Sequence, residues 1–364
     1  MTHRGKATDA SSSIESSYGK STASKLASTH PDLIIEGDVQ ILGSVETPSE
    51  VLSIKYTSGY QYLAVGMTNG TIDLYTMPTG VLVRNLAEKD KGSVGPVTNI
   101  KHGMTPLHVR NITATHVDGT IKCWDIHSGS IKYSIREKRQ VLGLAYHPQL
   151  AKFITFGEDA RIHLYDEESS CLEGVYEPTD LPEAVDGHVS RVFSGCFNPA
   201  MPYEFITGGW DDTIQVWDTR VNQSIRHMSG AHICGDGLDI NSSGKQVVSF
   251  SWQKTNPHQL WDYATGKLLM NFEVDTHNSM LYCGQFLPKD VMVMGGTDQN
   301  LIRIVDKSNL TAVCRIRNLP VGVYSLDVGG IVKRKTQPKT PDLVVMPKIS
   351  FCSGKKVYEF DFSI

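Results

Sequence analysis

Apolar and polar positions alternate with a period of two along most of the chain, in short runs separated by turns rich in Gly, Asn and Asp. This pattern predicts β-strands, and long stretches with helical periodicity are absent. The clearest runs end in an aromatic residue followed by Asp: Thr120-Ile121-Lys122-Cys123-Trp124-Asp125, Thr213-Ile214-Gln215-Val216-Trp217-Asp218 and His258-Gln259-Leu260-Trp261-Asp262. Arg161–Asp166 carries Tyr165 in place of Trp, and weaker copies end at Thr76, Asp306 and Asp361. These seven marks lie 41–55 residues apart, about 47 on average. Near-constant spacing of this kind predicts a repeated unit of four short strands with variable loops.

Each mark has partners. Upstream lies an alternating strand, as in Tyr62–Gly66, Asn111–Thr115, Phe153–Phe156, Phe205–Gly209 and Val291–Gly295. Between the two sits a tight turn, such as Thr68-Asn69-Gly70, Val117-Asp118-Gly119, Glu158-Asp159-Ala160 or Trp210-Asp211-Asp212. Asn-Gly and Asp-Gly tolerate positive φ and close hairpins. A further apolar strand precedes each pair (Val51–Tyr56, Val97–His102, Val141–Tyr146, Val192–Phe197), and a short outer strand follows each mark (Val81–Leu86, Ser130–Ile135, Lys267–Phe272).

Over about residues 33–362 these repeats resemble the WD-repeat family of β-propellers. His188, His232 and His277 stand 29, 29 and 28 residues before Trp217, Trp261 and Val305, as the family's histidine signature does. The expected fold is all-β: a seven-bladed β-propeller of four-stranded antiparallel blades. The last blade, built from Val323–Val328, Leu343–Cys352 and Lys356–Asp361, ends without an outer strand. The strand-like segment Leu33–Leu42 is expected to supply it, so that an N-terminal strand closes the ring and removes exposed edges. Pro347 should shorten the penultimate strand.

Composition refines this picture. The 364 residues suggest two domains at about 150 residues each, whereas the repeat assigns 31–364 to one ring. Residues 1–30 hold twelve Ser or Thr and almost nothing large and apolar. They are expected to form a disordered tail, because such a segment buries too little to offset its ordering entropy. A net charge of −4 makes a nucleic-acid partner an unfavoured expectation. Residues 1–30 read as no signal peptide, and no run reaches the length of a membrane span. Seven scattered cysteines without a Cys-x-x-Cys pair fit reduced thiols in an intracellular, cytoplasmic protein.

No catalytic, cofactor or metal site is expected. Gly244-Lys245 lacks the flanking residues of a phosphate loop, since Asp239 and Gln246 occupy the required Gly and Ser/Thr positions. His-Glu-x-x-His and Gly-x-Ser-x-Gly are absent. His188, Thr207, Asp211 and Trp217 look catalytic as letters, but the resemblance implies a structural network inside the blade, linking the turn Asp through the His ring to a hydroxyl and the indole N–H. The resemblance also implies that the residue before the turn Asp lies near the channel rim. That carries over to Val117, Glu158 and Trp210, and more weakly to Thr297. Trp252 stands at a similar place in the next blade, so Trp210 and Trp252 could form an aromatic anchor. The plain alternative is packing between blades.

Blade five lacks a turn Asp and carries the enlarged turn Gln253–Pro257. Pro178–Arg191 is a long acidic insertion, and Lys333–Lys339 a basic one. Trp217-Asp218-Thr219-Arg220 is similar to the Trp-Asp-x-Arg motif of substrate receptors on cullin–RING ubiquitin ligases, which singles out Arg220. Three functions follow: a protein-interaction scaffold in an intracellular assembly, with cytoskeletal or ciliary complexes as one setting; a ubiquitin-ligase receptor; or a propeller that reads a peptide through its channel. The last calls for acids lining that channel, of which Glu158 and Asp159 can be placed from the repeat.

Overall fold

The computed structural model describes residues 32–86, 94–179, 185–272, 277–331 and 346–364. Seven antiparallel sheets contain every strand among these residues, and the only helical element is a 3-10 turn at Ser58–Tyr60. The blades occupy 51–85, 97–136, 141–176, 192–229, 238–271, 280–317 and 323–362. Their inner strands touch in cyclic order, and that of blade seven returns to that of blade one. The fold is therefore the expected seven-bladed β-propeller.

An N-terminal strand does close the last blade, but it is shifted from the expected 33–42. Val39–Glu46 pairs antiparallel with Lys356–Phe362, seven residue pairs in all. The expected strand is broken at Gly37, whose φ of +84° turns the chain. The piece before the turn, Ile34–Glu36, joins the outer edge of blade six and makes that sheet five-stranded. Pro347 is the first residue of the strand Pro347–Ser353, a place where the missing N–H is tolerated. The tail 1–30, Asp180 and Glu183 of the acidic insertion, and the basic run Lys333–Lys339 lie outside the described residues.

Stability comes from apolar layers between blades. Ile154, Phe156, Ile162 and Leu164 of blade three meet Val192, Phe197, Phe205 and Trp217 of blade four. The broadest layer joins blades six and seven through Val293, Ile304, Ile349, Phe351 and Phe360. All seven cysteines are free, and burial pushes the thiol of Cys123 up to about 11 and those of Cys314 and Cys352 up to about 12.

The axial channel is polar and crossed by charge. Lys55 of blade one binds Asp327 of blade seven at 2.6 Å. Lys101 of blade two reaches across the axis to Asp236, at the head of blade five's inner strand, at 2.5 Å. Burial alone would drive both of these groups toward neutrality. Each is held charged by the other, with the Asp236 carboxyl below its ordinary value and the Lys101 ammonium above it. Nearby Asp239 has no such cation in contact; burial pushes it up to about 6, although it accepts hydrogen bonds from the amides of Ile240 and Phe286.

Breaking the crossing pair should therefore be costly. Lys101→Met is expected to lower stability by about 3 kcal/mol, the lower end of the range for orphaning a buried charge, because the Asp236 side chain is one-third exposed. Lys101→Met with Asp236→Leu should regain most of that in a urea denaturation series. Equal stability of the single variant and the parent would refute the pairing.

Candidate interaction site at the channel mouth

Six blades begin their inner strands alike: Val51-Leu52-Ser53, Val97-Thr98-Asn99, Val141-Leu142-Gly143, Val192-Phe193-Ser194, Leu281-Tyr282-Cys283 and Val323-Tyr324-Ser325. In each the register slips within or just after the triad. A β-bulge leaves one residue unpaired and re-aims its side chain. The middle residues Leu52, Thr98, Leu142, Phe193, Tyr282 and Tyr324 consequently converge on a cavity of about 180 Å³, with Asp236 also in its wall.

From this cavity an aromatic arc spreads over the rim of blades four to seven. Ring centroids follow at 5.2 Å from Phe193 to Trp210, 6.3 Å to His232 and 6.4 Å to Trp252, then 6.1 Å to Tyr282 and 5.0 Å to Tyr324. The Arg191 guanidinium stacks on Trp210 at 5.1 Å. Polar edges are fixed too. Trp210 donates its indole N–H to Cys234 Sγ at 2.9 Å, Trp252 donates to Thr297 Oγ1 at 3.4 Å, and His232 Nδ1 pairs with Asp212 at 2.6 Å. Trp210 and Trp252 are nevertheless 41% and 36% exposed, so much of each ring remains available.

The structure thus brings Trp210 and Trp252 into one surface, with His232 between them. Sequence reading placed His232 in the interior signature of blade five, whereas its ring sits on the rim against the preceding turn's Asp212. Val117 and Glu158 occupy the same rim on blades two and three, outside the arc. The Val117 amide is bonded to Pro96 O, and Glu158 Oε1 accepts from the Gln140 amide. Arg220 lies on the opposite face, in the turn before blade four's outer strand. There it donates to both oxygens of Asp218, at 2.9 and 2.6 Å, and stacks on Tyr203 at 4.6 Å. The arc residues Phe193, Tyr282 and Tyr324 were missed by the sequence reading, and their signal was the repeated triad.

Inside blade four, His188 Nδ1 is 2.8 Å from Asp211 Oδ2, and its Nε2 is 2.7 Å from Thr207 Oγ1. Trp217 donates to the same hydroxyl oxygen at 2.7 Å. The carboxylate only accepts, so Nδ1 carries a proton toward it; Thr207 accepts from the indole and keeps its own hydrogen for Nε2. Burial raises the Asp211 carboxyl, but hydrogen bonds from His188, Val189 and Thr213 outweigh this and leave it below its ordinary value. His277, read as the equivalent in blade six, instead turns its Nδ1 to Arg315 at 3.0 Å. In blade five Trp261 donates to Ser249 at 3.0 Å, while His258 stacks on Phe272.

Blade three, which has no such His, builds its network differently. Glu137 accepts from Thr155 at 2.6 Å, Tyr165 at 3.2 Å and Arg139 at 2.5 Å, and Arg139 also pairs with the turn residue Asp159. Burial opposes the charge on Glu137, but His163 and Arg139 beside it prevail and hold the carboxyl at about 2.

Sequence comparison points the same way. The family profile described as WD domain, G-beta repeat matches residues 181–218. WD repeat-containing protein slp1 of Schizosaccharomyces pombe is 21% identical over 73% of this chain and 51% of its own length. Pre-mRNA-processing factor 19 of Bos taurus is 25% identical over 44% of this chain and 30% of its own. A ribosome biogenesis protein WDR12 homolog of Anopheles gambiae is 29% identical over 28% of this chain and 23% of its own. The chain spans about half or less of the length of these relatives.

Two tests address the internal networks. A depressed carboxyl stabilises the fold above its unfolded value and loses that contribution as the pH falls through its folded value. Stability from Glu137 should be complete above about pH 4.5 and fade toward pH 2. Glu137→Gln is expected to cost on the order of 2–3 kcal/mol at pH 7 and to flatten the acid limb of the stability curve in that window. Asp211→Ala should orphan the His188 Nδ1 proton and cost on the order of 1–3 kcal/mol, and an unchanged melting temperature would contradict the role of that network.

Proposed function

The chain belongs to the WD-repeat family of β-propellers, and on that premise we propose that it is a non-enzymatic scaffold that binds proteins or peptides within a multiprotein assembly. The observation carrying this reading is the aromatic arc at the channel mouth. Its side chains stand on bulged inner strands and hairpin turns whose backbone the sheets hold rigid, which suits recognition. Two partly exposed Trp residues supply the side chain most enriched at binding hot spots.

The partner engages the mouth rather than threading the channel. Asp236 and Asp327 do bring acids to the channel, but Lys101 and Lys55 neutralise both, and the Lys101–Asp236 pair, running from blade two to blade five, bars the axis. The ubiquitin-ligase reading rests on Arg220 alone, whose guanidinium is already engaged by Asp218 and Tyr203. Two of the three relatives are named for pre-mRNA processing and ribosome biogenesis, which supports membership of an intracellular assembly and gives no weight to the cytoskeleton, the cilium or the cytoplasm in particular. Neither a membrane nor a nucleic acid is proposed as partner: no described helix is long and apolar enough to cross a bilayer, and the net charge is −4.

Affinity purification from native cells with the parent and with Trp210→Ala/Trp252→Ala should show partners lost by the double variant. Each truncation is expected to cost about 2 kcal/mol of binding with little change in melting temperature. A large fall in stability with partners retained would instead assign the two Trp residues to packing. Arg220→Ala should leave the same partners in place.

A further inference from the structure

Blade six is the one described blade with five strands. Its extra strand, Ile34–Glu36, is held by three residue pairs, Ile34 with Arg317, Ile35 with Ile316 and Glu36 with Arg315. Ring closure does not depend on it, because Val39–Glu46 performs that task. Its own side chains bury little, with Ile34 45% and Ile35 42% exposed. Leu33 packs lightly on the core and Asn318 donates to Asp32 O at 2.7 Å. The strongest tie is ionic: the Glu36 carboxylate lies 2.7 Å from Arg315 Nε and 3.0 Å from Arg317 Nε. Immediately afterwards Gly37, at φ +84°, turns the chain away toward blade seven.

The edge beneath is larger than its cover. The outer strand of blade six runs Thr311–Arg317; Ile34–Glu36 pairs with its last three residues and Gly37 lies against Val313 and Cys314, so strand pairing stops at Arg315 and Thr311 and Ala312 are left uncovered. An uncovered strand edge is a row of backbone donors and acceptors that templates another strand. Arg315 and Arg317 add two planar guanidinium groups, which suit a carboxylate.

We propose that the outer edge of blade six is a docking site for an extended acidic segment of a partner protein, and that Ile34–Glu36 is the chain's own occupant, displaced when the partner strand pairs there. The partner segment carries apolar residues followed by an acid, as Ile34-Ile35-Glu36 does, and binds by adding a strand to the sheet. By continuing straight past Arg315, where the internal chain turns away at Gly37, it gains pairings along residues 311–314 that the internal strand does not make. The site lies on the perimeter of the ring, away from the channel mouth, and stands independently of the scaffold reading.

The test uses the full chain and a fluorescein-labelled peptide copying residues 31–38. In the Glu36→Lys chain the internal strand is repelled by Arg315 and Arg317, so the peptide should bind at least tenfold tighter than to the parent by fluorescence polarisation. Adding Arg315→Glu should abolish that gain. A Glu36→Lys chain of unchanged circular dichroism and melting temperature that fails to bind the peptide overturns the proposal. Hydrogen exchange on the parent gives a second measure that needs no variant. The amides of 34–36 should exchange at least tenfold faster than those of 39–46, and equal protection overturns the displacement.

Discussion

Everything in this molecule depends on one pairing between the two ends of the described chain. When Val39–Glu46 lies against Lys356–Phe362, blade seven is completed and blade one gains a neighbour on each side. Each blade is a small sheet that cannot bury both faces alone, so the apolar layers between blades exist only because the circle closes. The pairing joins residues some three hundred positions apart, and its loop-closure entropy is offset by every interblade layer at once.

Closure also sets the geometry of the mouth. Once the inner strands are fixed around an axis, a bulge at the same position in six of them sends six side chains to one point. The chemistry of that point is then decided by which residue occupies the bulge. Leu52, Thr98 and Leu142 make one side small, and Phe193, Tyr282 and Tyr324 make the other aromatic. The asymmetry gives a symmetric ring a binding direction.

The fold was legible because a repeated alternation ending in an aromatic and Asp has few structural solutions, and the hydrogen-bonded positions of blade four could be carried over residue by residue. Three features were not legible. The break at Gly37 sits inside an apolar run that reads as one strand, and only the competition between two sheet edges divides it. His232 has the spacing of an interior histidine, but with no turn Asp in its own blade it is drawn to Asp212 of the blade before. Blade three has no histidine at the signature spacing, and there Glu137 and Arg139 link the turn residue Asp159 to Thr155 as His188 links Asp211 to Thr207 in blade four, so what the blade requires is a continuous chain of hydrogen bonds rather than a given side chain.

The ion pair from Lys101 to Asp236 has a mechanical meaning as well. Neighbouring blades hold each other along the circumference, which leaves a ring free to flatten into an oval at little cost to any one layer. A strut along a diameter resists that deformation. Blades two and five are kept at constant separation, so a force applied at one part of the perimeter is carried straight across to the other instead of being absorbed by distortion of the opening.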